Sequence, residues 1–199
     1  MIKESIKFIR VREVHVPTRA NAGDAGIDFY IPTDLNLKDL LSCNAKSGVS
    51  IDYRGNIKRV LPDKVSVIDD SDKDQIKSFI IGPHTTLVIP SGIQAIIEPL
   101  DSELHLDDKS GKASGLNIHL YGGVIDSGYI GEIHFVIENT TINQVEIKAG
   151  DKICQAIHRP IYLDVPEEIT IEKFRVLAEA KKQQSGRGDS GMGSGKETL

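Results

Sequence analysis

Along most of this chain apolar and polar residues alternate with the period of two that a half-buried β-strand requires. The first such run, Ile6 to Val16, stops at Pro17 and predicts an opening strand. A second, short strand is expected at Ile27–Ile31, led in by the small residues of Ala20–Gly26 and carrying Asp28 near its start. The pattern resumes at Phe79–Ile81, turns at Gly82-Pro83, and runs through Thr86–Ile89 and, past Pro90-Ser91-Gly92, through Ile93–Glu98. Val145–Lys148 and Ile153–Ile157 flank the turn pair Gly150-Asp151. Short strands divided by Gly/Pro turns predict an all-β barrel or sandwich, not βαβ units.

Two stretches break this rhythm. Residues 34–79 differ in character: Leu35–Leu41 has the spacing of a short helix, and Val65–Lys77, with Asp69, Asp70, Asp72 and Asp74, reads as a solvated loop. The whole is expected to be an inserted strand-and-loop excursion, a natural surface for a protein partner. Near the end, Ile171, Phe174, Leu177 and Ala178 recur at helical spacing and predict one amphipathic helix over Glu167–Lys182. The glycine-rich residues 184–199 that follow have the composition of a flexible arm.

The stretch most suggestive of chemistry is Gly122-Gly123-Val124-Ile125-Asp126-Ser127-Gly128-Tyr129-Ile130-Gly131-Glu132-Ile133. Val124-Ile125 runs into an acid, Gly128 allows a reversal, and Glu132–Ile137 alternates again, which predicts a β-hairpin. A carboxylate at a strand end, held by rigid backbone, can orient and deprotonate a water. Three residues on, the ring of Tyr129 can cover a flat face of a substrate. The bland alternative is an ordinary hairpin with a solvated acid.

Composition narrows the classes. With 199 residues the chain suffices for one well-cored domain with an insertion. A net charge of −5 without a basic block disfavours a nucleic-acid partner, and the lack of Trp disfavours a base-stacking platform. The two cysteines, Cys43 and Cys154, are far apart and form no Cys-x-x-Cys pair, which fits a reduced, cytoplasmic protein. Neither a signal peptide nor a membrane-spanning run is expected. The six histidines are isolated, so no His or Cys metal cluster is foreseen.

Two further segments suit phosphate. Lys109-Ser110-Gly111-Lys112-Ala113-Ser114-Gly115 offers amides, hydroxyls and ammonium groups, although without P-loop spacing. The tail sets Arg187 among glycines and serines, a composition able to close over a phosphate chain. Gln155, inside a strand, needs amide partners, and a structural hydrogen bond serves as well as a functional one.

Taken in order, the Ala-Gly-Ile-Asp strand, the Lys-Ser-Gly loop, Gly-Val-Ile-Asp-x-x-Tyr, Gly-Asp-x-Ile-x-Gln and the Arg-Gly tail resemble the five motifs of the trimeric dUTPase family. The resemblance covers residues 6–33 and 80–199. It implies a distorted, jelly-roll-like β-barrel within residues 1–183, interrupted by the insertion at about 34–79, and a C-terminal arm at 184–199 that closes over the site. It further implies a homotrimer with three active sites, each built from all three subunits, hydrolysing dUTP to dUMP and pyrophosphate with Mg²⁺. On that likeness Asp126 activates the water, and Asp28 stands near the metal's waters without direct coordination. Lys109, Ser110 and Gly111 hold phosphate, and Tyr129 packs on the deoxyribose and excludes a 2′-hydroxyl. Backbone from about Leu116 and Asn117 to Gly123 reads uracil, while Gln155 supports the phosphate site. Arg187 clamps the γ-phosphate, with Gly188, Met192, Gly193 and Ser194 closing over the nucleotide.

The chain departs from the family pattern in several places. Lys109 stands for the usual Arg, Gly128 and Ile130 for an Asp and an Arg, and Met192 for the Phe that stacks on uracil. Lys112 and Ser114 break a normally apolar run. Two rival readings remain: a dCTP deaminase, which requires a Glu where Val136 stands, with Glu138 two residues too far along, and a non-catalytic nucleotide-binding regulator.

Overall fold

The computed structural model describes residues 5–44, 49–51, 57–59, 61–70, 74–109, 111 and 115–185, with backbone only at 49–51 and 57–59. The chain divides into two compact units, Met1–Tyr162 and Leu163–Leu199. The first contains, in order, β1 (Ser5–Arg10), β2 (Ile27–Tyr30), α1 (Leu37–Cys43), β3 (Val49–Ile51), β4 (Ile57–Arg59), β5 (Val65–Asp70) and β6 (Gln75–Ile81). There follow β7 (Thr85–Glu98), β8 (Ser102–Asp108), β9 (Ile118–Tyr121), β10 (Val124–Asp126), β11 (Glu132–Asn139), β12 (Val145–Lys148) and β13 (Lys152–Pro160). Among its described residues the second unit holds one helix, α2 (Ile171–Ser185), with its side chains exposed, close to the helix expected from the spacing. Among the described residues no helix is long and apolar enough to cross a membrane.

The strands of the first unit form two four-stranded sheets, β1-β7-β11-β9 and β10-β8-β13-β2, with a three-stranded sheet β12-β6-β5 and the hairpin β3-β4. The fold is all-β, and the ladders among the described residues do not close into a single barrel. Alternation drives this packing. Ile133, Phe135 and Ile137 of β11 point inward while Glu132, His134, Val136 and Glu138 point away. Phe29 of β2 meets Phe8 and Phe135 edge-on, with centroids 5.7 and 6.2 Å away, so the inner faces of the two large sheets share one core.

Several expectations are corrected here. Val124–Asp126 and Glu132–Ile137 do not form a hydrogen-bonded hairpin: β10 pairs with β8, whereas β11 pairs with β7 and β9. The turn between them carries the chain from one sheet to the other. The same holds at Gly150-Asp151, where β12 and β13 belong to different sheets and Gly150 takes a positive φ of 83°. The opening strand ends at Arg10, six residues short of Val16. Thr85–Glu98 is one strand of 14 residues, because Gly92, at φ +71°, bends the strand without ending it.

The insertion is more than a loop. Val65–Lys77 was expected to be solvated, yet β5 and β6 pair throughout, and β6 also pairs with β12 to bury Phe79 against Ile147. Asp69, Asp74 and Lys77 stay exposed. Upstream, Asn36 and Asp39 close a capping box at the start of α1, as Asx-x-x-acid spacing favours. Asn44 just beyond the helix is buried, and its side-chain amide bonds both the N–H and the C=O of Val88 at 3.0 and 2.9 Å. That amide takes the place of a neighbouring strand beside β7.

Candidate active site

Asp126 ends β10, aligned with Glu103 of β8, and its side chain is exposed. The following turn is closed by the Tyr129 N–H donating to the Asp126 carbonyl at 3.0 Å, and Ser127 Oγ anchors it to the Leu100 carbonyl at 2.8 Å. A carboxylate that stands in water on backbone fixed from both sides suits a general base. Tyr129 places its hydroxyl 2.8 Å from the Glu132 carbonyl and leaves 43% of its surface exposed, enough to receive a planar or ring-shaped ligand. Ile130, beside it, is 69% exposed.

Asp28 has a different environment. It is buried, and its two oxygens each accept from a lysine: Oδ1 from Lys109 Nζ at 2.6 Å, Oδ2 from Lys152 Nζ at 2.8 Å. Burial alone would raise its pKa, but the hydrogen bonds and charges of the two lysines outweigh it and hold the carboxyl below its ordinary range. The partnership raises the Lys152 pKa in turn. Lys152 was not anticipated from the sequence. It follows the Gly150-Asp151 turn at the start of β13, and only the β13–β2 pairing brings it over Asp28.

Gln155 lies opposite Asp28 on β13, and its Nε2 donates to the Asp108 carbonyl at 3.3 Å. Gly26 makes room for it: a Cβ there would fall 2.4 Å from Gln155 Oε1. An open cleft of about 370 Å³ is lined by Gln155, Gly123, Leu120 and the β8 residues His105 to Asp108. Gly123 contacts β8 through backbone, accepting the Leu106 N–H at 2.7 Å, and a Cβ at 123 would meet the Leu106 carbonyl at 2.3 Å. Asp108, also unanticipated, holds β9 at this cleft by accepting the Leu120 N–H at 2.7 Å and pairing with His119 Nδ1 at 2.9 Å. Asn117, with a positive φ of 50°, and the half-buried Leu116 lead into β9.

Within the chain, then, Asp28, Lys109 and Gln155 come together, and Gly123 shares the cleft with Gln155. Asp126, at the end of the far strand of the same sheet, and Tyr129, in the turn after it, sit apart. Gly111 is exposed with helical backbone. Ser110, Arg187, Gly188, Met192, Gly193 and Ser194 lie outside the described residues, as do Lys112 and Ser114.

A dUTPase family model matches residues 75–191, more than half of the chain. The chain belongs to the dUTPase family. It is similar to the deoxyuridine 5'-triphosphate nucleotidohydrolase of swinepox virus, 32% identical over 115 residues that cover 58% of this chain and 77% of that protein. The namesake from Wolbachia pipientis is 36% identical over 118 residues, covering 57% and 73%. The one from Mycobacterium sp. (strain JLS) is 26% identical over 191 residues, covering 94% and 95%, so it spans the insertion as well. Among solved structures, a mutant of the Staphylococcus bacteriophage 80alpha dUTPase with dUpNHpp superposes with a TM-score of 0.62 at 17% identity, over 96% of this chain and 97% of that one. A mutant dUTPase from phage phi11 of S. aureus, which coordinates a structural Mg(II) ion, gives 0.57 at 17% identity over 83% and 96%.

In this dUTPase family member the described acids form no cage for a metal. Among the described residues no group of three or more His, Cys, Asp or Glu is arranged to hold an ion. Asp28, the acid expected near the metal's waters, has both oxygens committed to ammonium groups. This donor set does not fit a resident Mg²⁺ in one chain.

Proposed function

We propose that the chain hydrolyses dUTP to dUMP and pyrophosphate in nucleotide metabolism, with Asp126 as general base. The observation that carries this reading is the exposed Asp126 carboxylate at the end of a backbone-anchored strand, in a chain of the dUTPase family. A water oriented by Asp126 attacks the α-phosphorus in line; its proton passes to the carboxylate as the bond from that phosphorus to the bridging oxygen breaks. Pyrophosphate leaves with that oxygen. Lys109, Ser110 and Gly111 hold the phosphates, Gln155 supports them, and Arg187 clamps the γ-phosphate. Tyr129 covers the deoxyribose, and Met192 lies on the uracil, its thioether a softer cover than a ring.

Mg²⁺ is proposed to arrive on the triphosphate, whose charge it neutralises while keeping most of its own waters. Asp28, held as an anion by its lysines, is a fixed negative charge near that site and not a ligand. The proposed assembly is a homotrimer that shares its sites, with residues 184–199 of each chain closing one of them. The deaminase alternative gains nothing from β11: position 136 is Val, and Glu138 lies two residues further along, where its charge raises the pKa of Tyr121 on the neighbouring strand.

The test is pyrophosphate release from the purified protein with Mg²⁺, supplied in parallel with dUTP, dTTP, UTP and dCTP, with ammonia assayed alongside. Release from dUTP alone is expected, and Asp126→Asn should lower it about 10³-fold while dUTP binding persists. Ammonia from dCTP, or dUTP binding without release by the unsubstituted protein, would overturn the reading.

A further inference from the structure

Three segments distant in sequence meet at Arg12. Its Nε and Nη2 donate to the Glu132 carboxylate at 2.9 and 3.4 Å, and its Nη1 lies 3.1 Å from Asp39 Oδ1. All three side chains are largely shielded, Arg12 and Asp39 at 22% exposure and Glu132 at 18%. Burial works against the guanidinium charge, but the hydrogen bonds and charges of Glu132 and Asp39 more than offset it and raise the Arg12 pKa further. Glu132 Oε1 also accepts the N–H of Gly92 at 2.8 Å, at the bend of β7.

Each end of this network leads to a functional element. Asp39 belongs to the insertion: it sits in the first turn of α1, and its other oxygen closes the capping box on the Asn36 N–H at 3.1 Å. Glu132 opens β11, and its backbone carbonyl is the acceptor for the Tyr129 hydroxyl at 2.8 Å. The Tyr129 ring lies against Gly131, where a Cβ would come within 2.6 Å of the hydroxyl oxygen. The ring therefore rests on a glycine and is tied to a carbonyl whose own side chain is clamped by Arg12. A hydroxyl bonded to a carbonyl at the surface locates a ring only as firmly as that carbonyl is itself held.

We propose that Arg12 is a positioning residue for sugar discrimination: by locking Glu132 to helix α1 of the insertion, it holds the Tyr129 ring where no 2′-hydroxyl fits beneath it. This deepens the dUTP reading and rests on it. Through Arg12 the insertion gains a bearing on specificity, although none of its described residues lies at the ring. Arginine suits the task because one planar fork engages two carboxylates in fixed geometry, which an ammonium does not do.

The experiment compares kcat/KM for dUTP and for UTP in the full-length protein and in Arg12→Ala, Arg12→Lys and Asp39→Ala. It is paired with hydrogen exchange of residues 127–133 without nucleotide. Arg12→Ala should lower the dUTP-to-UTP ratio about tenfold, mostly through a lower KM for UTP, and speed exchange in that segment. Asp39→Ala should act in the same direction by less, and Arg12→Lys should recover part of the ratio. A folded Arg12→Ala protein with an unchanged ratio overturns the proposal. Should that variant not fold, Glu132→Gln, which keeps an acceptor for Gly92 but loses the ion pair, is measured in its place, and an unchanged ratio there overturns it equally. An unsubstituted protein that releases nothing from dUTP refutes the functional reading instead; unchanged exchange in the variants would then refute the Arg12 clamp separately.

Discussion

Asp28 and Asp126 stand on the same face of one four-stranded sheet, in its two outermost strands, and do not meet. Asp28 aligns with Gln155 and, across β13, with Asp107; Asp126 aligns with Glu103, four residues further along β8. The offset is about 13 Å along the strands and about 14 Å across three strand spacings. No single phosphate group bridges it. That separation is what the proposed site shared between copies requires.

Subunit mixing tests this. Asp126→Asn and Asp28→Asn proteins, each weak alone, should regain activity when co-refolded, since some sites then pair an intact Asp126 from one chain with an intact Asp28 from another. Random assembly of shared sites predicts recovery of about a quarter of full activity. Recovery no greater than the sum of the two variants would place both acids in sites made by one chain.

Removing residues 184–199 should reduce dUTP turnover by at least about 10²-fold, because Arg187 and the other residues proposed to close over the nucleotide go with them. The core described for the first unit is drawn from residues 14–156. Its thermal midpoint should therefore stay unchanged, as read by circular dichroism. Full turnover by the truncated protein would remove the tail from the mechanism.

The Asp28 ion pairs predict a pH dependence of stability. A carboxyl whose folded pKa is depressed contributes stability that is fully present above its unfolded value of about 3.9 and is lost as pH falls through the lower folded value. Asp28→Asn should accordingly be less stable than the unsubstituted protein at pH 7, with a gap in urea midpoint that narrows below about pH 4. A gap that stays constant from pH 7 to pH 3 would show that the asparagine acts through shape and not through charge.

Much of this was legible in the residues themselves. Alternation located most strands, and helical spacing located α1 and α2 to within a few residues, because these signals depend on neighbours in the chain. The dUTPase motifs were legible for the same reason: each is a short run whose residue types and order are local. The hairpin expected at Asp126 failed because alternation tells which residues face inward but not which strand lies alongside. Val65–Lys77 misled because Val65–Asp70 and Gln75–Lys77 lie in paired strands whose acid-rich composition matches that of a solvated loop.

What the sequence by itself determined is the all-β character, the family and the identity of the chemical groups. Only the tertiary structure decided how they are partnered. Lys109 and Lys152 reach Asp28 from 81 and 124 residues away, and Arg12 reaches Glu132 across 120. Such contacts arise when sheets pair and pack, through backbone hydrogen bonds that are the same for every residue type and so leave no mark on local sequence. The charge on Asp28, the setting of the Tyr129 ring and the separation of the two acids all follow from that pairing.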